Sequence, residues 1–390
     1  MKILHLSDRG LPDWRIEKAA TTALKAGHEV FFGGGKKANN YNRKIFHQTY
    51  EISWNAWSRR GIPFHWHGVK KQIDRILREA RPDLIHAHDI FAAKMISEFG
   101  VPFVYDNHEY WTEYSKILAD ANNRIASRDL KSRLPRNILR QLTRKILNDS
   151  AIRLWKKWEK ELVSVNTTIT VSNEIAEKLK VIVNNNNNNN NRSANRIFVV
   201  PNFPLISEVE DFERPQYHGY LSCVYAGLSG TAQITPSHTN IDGLTEAFIN
   251  SNIGDLTVIG WNNNKSFANV KYSGFLSRDS MYKEMFTHSI GLVPWRRHWS
   301  HSYANPNKAY EYAHAGLFVM CTASIRPVIE TLKEHCTTFE NHTDMVSKLT
   351  YFKDNLDELF NKRLKIFDYA RRTLIWEMYE KNINRAYQLC

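Results

Sequence analysis

The sequence predicts an α/β protein built from two doubly wound, Rossmann-like domains, and three observations carry that expectation. Short apolar runs alternate with amphipathic ones along the whole chain, the pattern of strand–helix–strand units on a parallel sheet. The alternation runs through once before residue 205 and resumes after residue 216, across a stretch from Phe203 to Gln216 that is rich in Pro and acidic residues and reads as a linker. The length, 390 residues, also exceeds what a single core usually organises. Domains are therefore expected at 1–205 and 206–373, with the final helical segment, about 374–390, packing back on the first. Two such sheets imply two faces with a cleft between them.

In the first domain, Lys2–Ser7 is an apolar strand, Asp8–Asp13 a loop, and Trp14–Ala26 a helix closed by Gly27. His28–Phe32 is the second strand, stopped by Gly33, Gly34 and Gly35. The loop after the first strand holds Gly10 but no complete G-x-G-x-x-G, which argues against a dinucleotide site there. Val69–Glu79 reads as an amphipathic helix, and Leu84–His88 as a strand whose end carries His86, His88 and Asp89. Val101–Asp106 is a further strand, ending in Asn107, His108 and Glu109. Ligands of open parallel sheets sit outside the carboxyl ends of the strands, so both clusters are candidate site residues. They lack H-E-x-x-H spacing, and no metal is expected. Thr168–Ser172 is a strand, Asn173–Lys180 its helix, and Arg196–Asn202 the last strand. Between them, Asn184–Asn191 is a run of asparagines too polar to pack, expected as a mobile surface loop.

Charge is distributed unevenly. Residues 1–200 hold 34 Lys+Arg against 20 Asp+Glu, and residues 201–390 hold 19 against 20. A one-sided field of this kind favours an anionic partner on the first half. Within it, Arg124–Lys160 carries 12 Lys+Arg against three acids, with Leu139, Leu142, Ile146, Leu154, Trp155, Trp158 and Leu162 recurring at helical spacing. Such a basic amphipathic helix suits an anionic membrane surface, with Arg140, Arg144, Lys145, Trp155, Lys156 and Trp158 as contacts. It equally suits an apolar face packed on its own domain beneath a solvated basic face. No nucleic-acid motif accompanies the tryptophans, and no nucleic-acid partner is expected.

The second half repeats the architecture. Leu221–Gly227, Leu256–Gly260, Val270–Phe275, Ile290–Pro294 and Leu317–Thr322 read as strands, with helices at Ile241–Phe248, Ser280–His288, Thr343–Phe352 and Asn361–Tyr387. Before the last of those strands lies Asn305–Gly316, in which Pro306 opens a short helix and Gly316 ends it. Lys308 and Glu311 share one face near its start. A helix N-terminus is a natural seat for a phosphate, and a carboxylate one turn in can accept hydrogen bonds from a ribose diol. An ordinary surface ion pair would look the same in isolation.

Composition narrows the class further. With 42% hydrophobic and 12% aromatic residues the chain is globular, and it holds no long uncharged apolar run. The N-terminus enters a strand directly, so neither a signal peptide nor a spanning helix is expected. Cys223, Cys321, Cys336 and Cys390 have no metal-ligand spacing and read as free thiols in a reducing cytoplasm.

Six runs, in order, resemble one family. Pro306-Asn-Lys-Ala-Tyr-Glu-Tyr-Ala-His-Ala-Gly316 is similar to the donor-binding signature of retaining GT-B glycosyltransferases, especially glycosyltransferase family 4. Pro82–Asp89, Tyr105–Glu109, Ile169–Ser172, Val199–Asn202 and Gly291–Pro294 fall where that family has similar runs, so the resemblance covers nearly the whole chain. It implies the GT-B fold, a nucleoside diphosphate sugar held by the second domain, and an acceptor held by the first. Carried over by position, Glu311 matches the glutamate that binds the donor ribose. His108 matches the histidine that reaches the transferred sugar, and Gly10 the loop near donor phosphates and acceptor. Gly227, Tyr303, Asn307, Lys308, Arg296 and Arg297 complete the implied donor side, and His88, Asp89 and Glu109 the acceptor side. Trp376 and Tyr387 are set like the closing aromatic residues of the helix that crosses back.

Three departures stand out. Tyr303 replaces a glutamate common eight positions before the ribose-binding one. Thr239 and Asn240 stand where an Arg and a Lys for the diphosphate would be expected, leaving that task to Lys308 or to Arg296 and Arg297. The first-domain loop lacks paired glycines. The activity implied is transfer of a hexosyl group with retention to a glycan or lipid-linked hydroxyl, in polysaccharide or glycoconjugate synthesis at the inner membrane face. No metal or other cofactor is implied. A GT-B nucleotide-sugar epimerase, or an inactive scaffold binding membrane or nucleic acid, would share the fold.

Overall fold

Lys2-Ile-Leu-His-Leu-Ser7 forms β1 at the centre of a sheet, where every residue after Lys2 is buried; a strand covered on both faces reads as a mainly apolar run, here interrupted by His5. The structure is a computed structural model that describes residues 1–38, 41, 44–117, 135–186, 194–227, 237–263 and 267–390. It divides into Met1–Pro201 with Glu377–Cys390, unit 1, and Asn202–Trp376, unit 2.

In unit 1, β1 is joined by β2 (Glu29–Gly34), β3 (Gln48–Glu51), β4 (Leu84–His88), β5 (Phe103–Asn107), β6 (Thr168–Thr170) and β7 (Ile197–Val199). The sheet is parallel, in the order β3-β2-β1-β4-β5-β6-β7. Register sets His5 beside His86 and His88 beside Asp106. Because side chains alternate, His5, His86, His88 and Asp106 share one face of the sheet. Helices α1 (Trp14–Lys25), α2 (Ala56–Arg59), α3 (Pro63–Ala80), α4 (Asp89–Ile96), α5 (Pro135–Val165) and α6 (Asn173–Asn186) cover it, together with a helical turn at 111–117. Asp13 starts α1 by accepting hydrogen bonds from the Arg15 and Ile16 amides.

Unit 2 repeats the plan in a six-stranded parallel sheet. Its strands are β8 (Ser222–Ala226), β9 (Asp255–Ile259), β10 (Val270–Gly274), β11 (Ile290–Val293), β12 (Phe318–Thr322) and β13 (Cys336–Phe339), in the order β10-β9-β8-β11-β12-β13. Its helices are α7 (Leu244–Ser251), α8 (Arg278–Phe286), α9 (Asn307–His314), α10 (Arg326–Leu332), α11 (His342–Asp354) and α12 (Leu356–Thr373). The chain then re-enters unit 1 as α13 (Glu380–Gln388), where the Tyr387 hydroxyl lies 2.8 Å from His86 Nδ1 and Lys25 pairs with Glu380 at 2.9 Å.

Several expectations need correction. Phe203–Gln216 is not a free linker: Phe203 packs edge-on against Tyr310, and Leu205 and Val209 are buried, so the stretch belongs to unit 2. Asn361–Tyr387 is not one helix, because the chain leaves α12 after Thr373 and inserts Trp376, fully buried, whose amide donates to the Pro204 carbonyl at 2.9 Å. The helix expected from Val69 begins at Pro63, where proline is tolerated in the first turn. Asn184–Asn186 close α6, and the rest of the asparagine run lies outside the described residues.

The tryptophans assigned to a membrane are core residues. The Trp155 indole donates to the Arg59 carbonyl at 2.7 Å, and its ring meets Phe91 and Trp111; Trp158 packs on Trp66. Both are under one-tenth exposed, and Leu162 is buried with them, so the C-terminal half of α5 turns its apolar face onto its own domain, whereas Ile146 of the same stripe is exposed. Lys145 and Lys156 are exposed, and the Arg140 and Arg144 side chains lie outside the described residues. Among the described residues no helix is long and apolar enough to cross a membrane.

Candidate functional site

In unit 1 the polar face of the sheet gathers at the ends of β4 and β5. Asp106 is its centre. Arg15, from the first turn of α1, grips the carboxylate with Nη2 2.6 Å from Oδ1 and Nε 3.0 Å from Oδ2, and Arg15 Nη1 reaches the Val200 carbonyl at 2.9 Å. Three imidazoles face the same Oδ2: His86 Nε2 at 3.2 Å, His88 Nδ1 at 3.3 Å and His108 Nε2 at 3.4 Å. Burial would raise the Asp106 pKa, but Arg15 and then His108 hold it well below the usual carboxylate range. Burial lowers His5, His86 and His88, whose rings stack on one another, so these three are neutral at pH 7. His108 goes the other way: burial lowers it, yet the charge and hydrogen bond of Asp106 together with Asp89 raise it.

His108 is also the member of this group that reaches solvent, with 14% of its side chain exposed. Beside it, Asp89 opens α4 at φ 67°, a left-handed conformation strained for a residue with a side chain. Its Oδ1 accepts from the Ile90 amide at 3.1 Å and from the Trp111 indole, and Arg9 lies 4.0 Å from Oδ2. Burial, then the Asp89 charge, pushes Glu109 up to about 7. Glu159, from α5, is fully buried and supports this corner by accepting from the Trp111 and Thr112 amides, both at 2.8 Å.

The structure thus brings His108, Asp89 and Glu109 together and separates His88 from them in role. With no exposed surface, His88 cannot touch an acceptor and instead supports His108 from below. Gly10 has a packing reason of its own, since a Cβ there would collide with the Lys36 carbonyl.

In unit 2, α9 is anchored along its length. The Tyr312 hydroxyl accepts from the Ala226 amide at 2.7 Å, Tyr310 bonds Asn305, and His314 Nε2 donates to the Leu374 carbonyl at 2.8 Å. Its N-terminus, at Pro306, has no side-chain cap, which leaves the Asn307 and Lys308 amides for a ligand. Lys308 Nζ lies 4.3 Å from the Tyr225 ring centre and 5.4 Å from that of Trp295. Gly227, after β8, makes this possible, because a Cβ would strike the Lys308 ammonium and the Tyr225 hydroxyl. Tyr303 ends a short helical turn, Trp299–Tyr303, ahead of α9. Arg296 and Arg297 extend into solvent after β11, and Arg297 is drawn toward Glu340 at 3.5 Å, so of the three cations Lys308 is the one seated at β8 and the α9 N-terminus.

Glu311 has an unexpected partner. Arg278, the first residue of α8, places Nη1 3.0 Å from Glu311 Oε1 and Nε 3.1 Å from Glu208 Oε1, and all three side chains are about nine-tenths buried. Neither Arg278 nor Glu208 stands out in the sequence; the single hint is a charged residue directly after the Ser277 cap of α8.

Residues 16–203 match the family described as Glycosyltransferase Family 4. No curated protein sequence matches the chain significantly. Among solved structures, sucrose-phosphate synthase from Thermosynechococcus elongatus is similar with a TM-score of 0.70 at 11% identity, over 100% of this chain and 99% of that one. HepE from Anabaena, in complex with UDP-glucose, gives 0.64 at 10% identity over 100% of both chains. Trehalose-6-phosphate synthase, studied with bisubstrate glycomimetics for glycosyl transfer with retention, gives 0.66 at 11% over 100% and 99%. At these identities the structural likeness establishes a shared fold.

Proposed function

We propose that this chain, whose residues 16–203 match the Glycosyltransferase Family 4 model and whose fold is that of GT-B glycosyltransferases, moves a hexosyl group from a nucleoside diphosphate sugar to an acceptor hydroxyl with retention. The observation that carries the donor side is α9: an uncapped N-terminus, Lys308 beside Gly227, and Glu311 one turn in, its carboxylate oriented by Arg278. In this reading the Glu311 oxygen turned away from Arg278 accepts from the ribose diol. Lys308 and the first amides of α9 meet the diphosphate, whose negative charge grows as the sugar leaves. Fixed donors need no reorganisation at that moment, and removing one costs about 3–4 kcal/mol of barrier by analogy with oxyanion-hole donors.

On the acceptor side, His108 orients the transferred sugar, with Asp106 and Arg15 fixing its ring, and Asp89 and Glu109 bind hydroxyls of the acceptor. The acceptor is a glycan or a lipid-linked glycan in polysaccharide or glycoconjugate assembly. The exposed Lys145 and Lys156 of α5 supply charge for a peripheral contact with an anionic membrane face.

A thermal-shift screen of the full chain against UDP, GDP, ADP and their sugar conjugates tests the donor assignment. One nucleotide diphosphate is expected to stabilise the protein, by about 2.7 kcal/mol at 100 times its dissociation constant. Glu311→Ala should abolish that response. Unchanged donor affinity in the variant would remove Glu311 from the site.

A further inference from the structure

We infer that unit 1 carries a transition-metal site, formed by His88 Nδ1, Asp106 Oδ2 and His108 Nε2, and that zinc is the ion it takes. The argument starts from three distances among the same three atoms. His88 Nδ1 to Asp106 Oδ2 is 3.3 Å, His108 Nε2 to Asp106 Oδ2 is 3.4 Å, and His88 Nδ1 to His108 Nε2 is 3.4 Å. All three exceed the N–H···O optimum of about 2.9–3.0 Å. They form a nearly equilateral triangle. Four-coordinate zinc, with bonds of about 2.0–2.1 Å to imidazole and carboxylate, sets its ligands about 3.3–3.4 Å apart, the edge length found here.

The surroundings are those of a built site. His88 and Asp106 are fixed by strand register, facing each other across β4 and β5. His88 Nε2 lies 2.9 Å from His5 Nδ1, the outer hydrogen bond that orients a ligating imidazole, and Arg15 fixes the plane of the Asp106 carboxylate. His88 and Asp106 are at most 1% exposed while His108 is 14% exposed, so the fourth position opens on the side of His108. Two imidazoles and one carboxylate with an open position suit zinc, whereas the hard ions Mg²⁺ and Ca²⁺ prefer all-oxygen sets.

A functional consequence rests on the role proposed for His108. Zinc on Nε2 takes that nitrogen from the sugar, while the diphosphate contacts in unit 2 use no ion, so zinc should inhibit transfer and a chelator should restore it.

The test uses chelator-stripped full-length protein titrated with ZnCl₂ against a chromogenic indicator, and separately loaded with Co²⁺. One zinc per chain is expected, with the intense visible bands of four-coordinate cobalt, and binding weakened by more than about 100-fold in His108→Ala, beyond what losing an outer-shell partner costs. No zinc bound by the wild-type chain, a six-coordinate cobalt spectrum, or unchanged zinc binding in His108→Ala would each overturn the site. Release of nucleoside diphosphate from the sugar nucleotide selected by the thermal-shift screen reads the consequence. Stoichiometric zinc that leaves this rate unchanged would keep the site and remove His108 from the transfer step.

Discussion

Replacing Arg278 by Met should be among the most damaging single changes in unit 2. The guanidinium is 8% exposed and stands between Glu208 and Glu311, whose side chains are 8% and 11% exposed. Taking away one partner of a buried ion pair leaves charge without water or counter-charge, at a cost of about 3–5 kcal/mol. For a unit of this size each kcal/mol lowers the melting temperature by about 2–4 °C, so a fall of about 6–20 °C is expected. Differential scanning calorimetry of wild type, Arg278→Met, and Arg278→Met combined with Glu208→Gln measures it. The double variant removes one stranded charge and should recover part of the stability. Its donor affinity should stay low, because Glu311 has still lost the group that orients it. A fall below about 2 °C in the single variant would match an exposed pair worth under 1 kcal/mol and refute the argument that this triad is buried and mutually compensating.

Gly227→Ala should weaken donor binding at least about tenfold, about 1.4 kcal/mol, since a Cβ displaces the Lys308 ammonium; isothermal titration with the selected nucleotide reads it, against an unchanged circular dichroism spectrum. Lys308→Ala, which keeps the glycine, should slow transfer by about 10²–10³-fold, and a smaller effect would move the diphosphate elsewhere. Burial lowers His288, His301 and His314 of unit 2 to about 4. The unfolded chain binds these protons near pH 6.5 and the folded chain does not, so stability falls as pH drops from 6.5 toward 4, by up to about 3 kcal/mol per histidine. A unit 2 melting temperature that rises over that range would contradict their neutral, buried state. Trp155→Ala should cost about 3–5 kcal/mol in urea unfolding while leaving binding to anionic vesicles as it was; vesicle binding that depends on Trp155 would contradict its packing on Phe91 and Trp111.

The central strands were legible because parallel strands buried on both faces leave short, predominantly apolar runs, broken in β1 and β4 only by the histidines of the polar face: Lys2–Ser7, Leu84–His88 and Ile290–Val293 lie where the sequence places them. The edge strands β3 and β13 were not. Gln48-Thr-Tyr-Glu51 buries Tyr50 and little else, and a strand covered on one side carries half the signal. Composition misled at Phe203–Gln216, where prolines and acids suggested a linker while Phe203 and Leu205 decided the packing. Trp155 and Trp158 show the limit of periodicity, which finds a helix's apolar stripe but not what covers it. Glu311 and Lys308 were legible because their relation is local, three residues on one helix face. Arg278 reaches Glu311 from 33 residues away and Glu208 from 70, and ion pairs at such separations leave no pattern in the chain.

Thr239 and Asn240 stand where basic residues were expected, and that gap is an objection to catalysis only if the charge must come from that loop. Lys308 brings an ammonium from α9 to the end of β8, held over Tyr225 and Trp295, and Gly227 is the residue that keeps the space open. A Cβ at 227 would push the Lys308 ammonium from its place over Tyr225, so the glycine leaves room for a charge carried by the helix whose N-terminus lacks a side-chain cap. In the proposed function this places the cation and the helix amides on one rigid element, where their relative geometry needs no loop to set it.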